Sequence, residues 1–151
     1  TTPSFDLETP VDATFPTGHI TGELVKEALA KFIGRIEQIP PSYSACKVDG
    51  KRAYDLARQG KEVELKPKVL VIDEIELQDF NPETMQATIR VVCSKGTYIR
   101  ALARDIGLAL DSGAHLTALR RTRIGDYKVE ECHTLETFRQ WLETLPNPTD
   151  K

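Results

Sequence analysis

A chain of 151 residues, 40% hydrophobic and 28% charged, has the makeup of a soluble globular protein and enough length to bury a core in one compact domain. No apolar run approaches the roughly 20 residues that cross a bilayer, and the opening TTPSFDLETP lacks the basic and apolar regions of a secretory signal. Cys46, Cys93 and Cys132 are odd in number and form no C-x-x-C pair, which argues against a disulfide framework or a zinc site and for a reducing cytoplasm.

The net charge of −3 speaks mildly against a nucleic-acid partner until the charge is located. Cys46–Val69 holds seven Lys/Arg against four Asp/Glu, and Ile89–Val129 holds eight against three. The remaining stretches carry five basic and sixteen acidic residues. Two basic segments suit a phosphate-facing surface, although a solvated surface has the same signature.

In chain order, residues 1–20 read as an extended lead-in punctuated by Pro3, Pro10 and Pro16. Thr21 is placed to cap a helix through about Ile33, with Leu24, Val25, Ala28, Leu29, Phe32 and Ile33 on one face and Gly34 as the stop. A short strand at Arg35–Gln38 runs into the breaker Pro40-Pro41. Ser42–Lys66 is polar and basic, with a short helical patch around Tyr54–Arg58. A connection this long inside a compact domain is usually functional or disordered.

Two strands follow, Lys68–Leu77 and about Gln86–Cys93, joined by DFNPETM as an antiparallel hairpin. In CSKGTYIRALARDIG a strand breaks at Gly96 and restarts as a helix. Ser94 or Thr97 is the expected cap, and Ile99, Leu102, Ala103, Ile106 and Ala109 or Leu110 the buried stripe. HLTALRRTRIGDYKV reads as strand, Gly-Asp turn and strand. A last amphipathic helix uses Leu135, Phe138, Trp141, Leu142 and Leu145. The expected class is α+β, a largely antiparallel mixed sheet with flanking helices.

Three places gather chemistry. At the strand–helix junction, Gly96 permits a sharp turn and the helix start offers N–H groups to anions. Arg100, off the apolar stripe, suits two-point contact with a carboxylate or phosphate, and Tyr98 offers a flat face to a nucleobase. Taken alone, Arg100 also fits a surface ion pair and Tyr98 a core position. In LTALRRTR, Arg120, Arg121 and Arg123 accompany Leu116 and Leu119 on one expected strand, which suits RNA contact or plain exposure equally. In PPSYSACKVDGKRAYDLARQGK, Lys47, Lys51, Arg52 and Arg58 alternate with Tyr43 and Tyr54, a pattern that grips phosphates and stacks on bases. His19, His115 and His133 show no metal-ligand spacing, so no metal is expected.

Together and in this order, PPSYSACKVDGKRAYDLARQG, CSKGTYIRALARDIG and GAHLTALRRTRIGDY resemble the TruB family of tRNA pseudouridine synthases over nearly the whole chain. More distantly, they are similar to the relatives found in archaeal and eukaryotic guide-RNA complexes. The resemblance implies isomerisation of uridine to pseudouridine in the tRNA T-loop, at the site usually called position 55, with the target base flipped into a pocket. It implies no cofactor and no membrane. Arg100 resembles the arginine that orients a catalytic aspartate. Tyr98 and Leu119 resemble pocket residues, with Lys95 beside them on the substrate side. Residues 40–66 resemble an inserted thumb that presses on the T-arm through Lys47, Lys51, Arg52, Tyr54 and Arg58, with Arg120, Arg121 and Arg123 as further RNA contacts.

One departure is marked. The family's nucleophile lies in an early G-x-L-D-type motif, and none of the ten aspartates here has that context. The family's early base-stacking tyrosine and its PUA domain are not recognisable either. Residues 1–145 are therefore expected to be the C-terminal portion of a catalytic domain, with 146–151 a tail, and the chain alone is expected to be inactive. A sheet cut at that point leaves an unpaired edge, so the missing N-terminal half or self-association is the expected cover. The alternative is an RNA-binding module of the same fold without catalysis.

Overall fold

The computed structural model describes residues 1–44, 47–48, 51–53, 55 and 65–145, with only the backbone of 47, 48, 51 and 52. Of the expected thumb contacts, Tyr54 and Arg58 lie outside the described residues, as do the side chains of Lys47, Lys51 and Arg52. Two compact units make up the chain, Thr1–Ala118 and Leu119–Lys151. The sequence alone suggests a single domain over 1–145.

In the first unit, helix α1 (Gly22–Ala30) starts at Thr21, whose hydroxyl accepts from the Leu24 N–H at 3.2 Å. Val25, Ala28 and Leu29 are buried, as their 3.6-residue spacing requires. The helix stops before the expected Ile33, because Gly34 at φ +96 swings the chain directly into strand β1 (Gly34–Gln38) and leaves Ile33 exposed. Lys47–Val48 (β2) and Lys51–Arg52 (β3) form a small antiparallel ribbon.

Strands β4 (Lys68–Asn81) and β5 (Gln86–Cys93) form the long hairpin, and the sheet order is β1-β4-β5, antiparallel throughout. Asn81 Oδ1 accepts from the Glu83 and Thr84 N–H groups, so the turn organises itself. That turn lets β4 run four residues beyond the expected Leu77. Helix α2 (Ile99–Ala109) joins α1 over the sheet. Val25, Ala28 and Leu29, Ile72 of β4, and Leu102, Ile106 and Leu110 form the core. The architecture is α+β.

Two local expectations fail. Residues 1–9 are not extended. Phe5 N–H donates to the Thr2 carbonyl at 3.0 Å, and Phe5 itself takes φ 59. Nor does Ser94 or Thr97 cap α2. Ser94 Oγ accepts from the Val71 N–H and the Ser94 N–H donates to the Val71 carbonyl, so Ser94 prolongs the β4–β5 ladder instead. Tyr98 occupies the cap position without a side-chain bond.

The second unit holds a ribbon of β6 (Arg123–Ile124) and β7 (Tyr127–Lys128), then helix α3 (Leu135–Glu143) with a Thr134–Thr137 capping box. Gly125 at φ 58 opens the two-residue turn, as a II′ hairpin requires. The expected long strand over LTALRRTRI contracts to its last two residues. Residues 115–122 pair with no strand among the described residues. No described helix is long and apolar enough to cross a membrane.

Candidate active site

The junction between β5 and α2 is built from the backbone outward. Gly96 takes φ +86, a left-handed value that costs a side-chain-bearing residue strain, and it turns the chain sharply after Ser94. The exposed Lys95 stands at this turn, and Tyr98 behind it is half-buried. Arg100 lies in the first turn of α2, off the helix's buried face.

Its guanidinium is held by three acceptors. Nη1 donates to the Ser4 carbonyl at 3.3 Å and to Asp6 Oδ2 at 3.2 Å, and Nη2 donates to the Tyr43 carbonyl at 2.6 Å. The Arg100 side chain keeps 23% exposure and that of Asp6 27%. The side chain is thus partly exposed, and two chain segments, the lead-in and the stretch after β1, hold its guanidinium. Nε takes no part in these bonds, which leaves that edge of the fork able to address another anion.

Asp6 is itself organised. Oδ1 accepts from the Ser4 hydroxyl at 2.6 Å and from the Glu8 N–H at 2.9 Å, an Asx-type turn. Ser4 is fully buried, and its hydroxyl also pairs with Thr9 Oγ1 at 2.8 Å. Thr2 Oγ1 donates to the Asp6 carbonyl at 2.7 Å. Burial pushes the Asp6 carboxyl up. The Ser4 hydroxyl, the Glu8 N–H and the Arg100 charge outweigh it and hold the group below the usual carboxylate range. An ionised Asp6 facing an obligate cation is a fixed electrostatic brace.

A second arginine fastens the same helix to its surroundings. Arg104 donates from Nη2 to the Ile39 carbonyl at 3.0 Å and from Nε to Asp105 Oδ1 at 2.8 Å, and it lies over the Phe5 ring at 5.5 Å. Successive turns of α2 thus grip the lead-in and the chain that follows β1.

Of the residues expected at the site, the structure gathers Lys95, Tyr98 and Arg100 at one junction. Leu119, Arg120, Arg121 and Arg123 belong to the second unit, where all four are exposed. Sequence reasoning passed over Asp6, Ser4, Gln38 and Arg104. The S-x-D spacing of Ser4 and Asp6 was a readable turn signal, but nothing in the sequence ties it to a helix 94 residues away.

Comparison with known proteins identifies the family. The family described as TruB family pseudouridylate synthase (N terminal domain) matches residues 1–99, and tRNA pseudouridylate synthase B C-terminal domain matches 100–149. A tRNA pseudouridine synthase B of Phocaeicola vulgatus is 70% identical over 143 residues, and one of Bacteroides thetaiotaomicron is 66% identical over 145. Either alignment covers 95% of this chain and 60% of the relative, so the chain spans about three-fifths of the curated relatives it matches. A protein in the crystal structure of a Cbf5-Nop10-Gar1 complex superposes with a TM-score of 0.57 at 30% identity, over 74% of this chain and 28% of its own. With two family matches that meet at Arg100 and relatives at such identity, the chain belongs to the TruB family of pseudouridylate synthases.

Proposed function

We propose that this chain forms one side of the active site of a tRNA pseudouridine synthase acting on a T-loop uridine, with the nucleophilic aspartate supplied by sequence outside these residues. The observation that carries the reading is the anchoring of Arg100 by Ser4, Asp6 and Tyr43. An arginine held by three acceptors has little conformational freedom left to lose when it meets a carboxylate, and its Nε edge, outside those bonds, suits that partner. In this reading Arg100 orients the nucleophile, Asp6 keeps Arg100 in place, and Tyr98, Lys95 and Leu119 face the flipped base. Lys47, Lys51, Arg52, Tyr54, Arg58, Arg120, Arg121 and Arg123 contact the RNA. The reaction is an isomerisation that needs no cofactor, carried out in the cytoplasm. The rest of the catalytic domain, or a second copy, covers the outer edge of β1 or β5.

The test is Arg100→Ala in the full-length protein. Turnover is expected to fall by about 100-fold or more while tRNA affinity changes less than about threefold, as for loss of a group acting at the reacting centre. Equal losses in both would refute the orienting role. Normal turnover would leave an RNA-binding module whose chemistry lies elsewhere.

A further inference from the structure

Gln38 closes β1 and is only 1% exposed. Its carboxamide spans a single residue: Nε2 donates to the Tyr98 carbonyl at 3.1 Å, and the Tyr98 N–H donates to Oε1 at 2.9 Å. Tyr98 is the cap residue of α2, has no side-chain cap of its own, and gives its carbonyl to the first helical bond, from the Leu102 N–H at 3.0 Å. The helix start is therefore set by the end of β1. The chain following Gln38 is fastened to the same helix at the Ile39 carbonyl by Arg104 and at the Tyr43 carbonyl by Arg100, and Pro40 and Pro41 between them are fully buried.

We infer that Gln38 is a positioning residue for the reaction: through the backbone N–H and carbonyl of Tyr98 it sets where the Tyr98 ring and the Arg100 guanidinium stand. The inference rests on the reading of those two residues given under Proposed function. Both halves of the Gln38 amide go to the one residue that precedes Ile99 and Arg100, so the bonds that start α2 also fix the backbone from which the Tyr98 ring and the Arg100 side chain project. A displacement of about 1 Å at reacting groups can cost on the order of 100-fold in rate.

The experiment uses the full-length protein, a T-arm RNA and single-turnover conditions, with RNA Kd and Tm measured beside the rate. Gln38→Met removes both bonds at similar volume. It is expected to slow the reaction roughly 10- to 100-fold at temperatures far below its Tm, with Kd within about twofold. Gln38→Glu supplies a readout that simple packing would not move. Ionised, its oxygens oppose the Tyr98 carbonyl; protonated, it donates to that carbonyl and accepts from the N–H as the amide does. The ratio of Gln38→Glu to native rate is therefore expected to rise as pH falls. A flat ratio, or a Gln38→Met rate within threefold of native, overturns the role. Should Gln38→Met not fold, the Gln38→Glu ratio decides alone. A native full-length protein that forms no pseudouridine would instead overturn the functional reading beneath it.

Discussion

Arg100 and Asp6 form an ion pair at 3.2 Å that is neither fully buried nor freely solvated. Exposed pairs contribute little, and buried ones pay heavily in desolvation. This one is supported by the Ser4 hydroxyl and the Glu8 N–H, which fix the carboxylate whether or not the arginine moves. Because the folded-state carboxyl sits below its ordinary value of about 3.9, its stabilisation is complete at pH values above that and is lost as pH falls through the lower folded value. Asp6→Asn keeps the shape and removes the charge. It is expected to lower stability at pH 7 by on the order of 1 kcal/mol, and the difference from native should vanish in acid. Thermal unfolding across that range checks the sign; a difference independent of pH would show that shape alone matters. At this scale the sequence was half legible. Arg100 stood out because it lies off the apolar stripe of an amphipathic helix, which is a local pattern. Its three acceptors come from the lead-in and from beyond β1, and long-range closure leaves no local mark.

At the scale of elements, α2 carries Arg100 and packs into the core along its buried side. Gly107 is buried on its inner side. A Cβ there would meet the Ala114 nitrogen at 2.5 Å and the Gly113 carbonyl carbon at 2.6 Å, both backbone atoms that cannot rotate away. Gly107→Ala improves helix propensity by at most about 1 kcal/mol but forces the following loop outward, at about 1–3 kcal/mol. A net loss of stability is expected in urea unfolding, and a gain would mean that the loop yields. Periodicity revealed the helices and the β4–β5 hairpin because their apolar spacing is regular. It misjudged their ends. Gly34 and Gly96 act through backbone angles, and Ser94 was claimed by the β4 ladder before it could cap α2. The basic run at 120–123 looked strand-like for its alternation, yet only its last residue pairs.

At the scale of the molecule, the proposed function gives separate roles to the anchored junction and to the basic segments elsewhere in the chain. These should separate by salt dependence. Replacing Lys47, Lys51 or Arg52 with alanine is expected to weaken tRNA binding and reduce the slope of log K against log salt by about 0.7–0.9 per lost phosphate contact. Arg100→Ala should leave that slope unchanged. Titration of the full-length variants over a range of salt checks both, and an unaltered slope in the lysine variants would remove the thumb from RNA binding. Under the proposed function, Arg100 pairs with an aspartate from outside these 151 residues. The most direct measurement is pseudouridine formation in a T-arm RNA by this chain alone, beside the full-length protein. Turnover is expected from the longer protein only. Turnover by the short chain unaided would place the nucleophile among its own carboxylates, with Asp6 the first to suspect, and would refute an orienting role for Arg100 toward an outside aspartate.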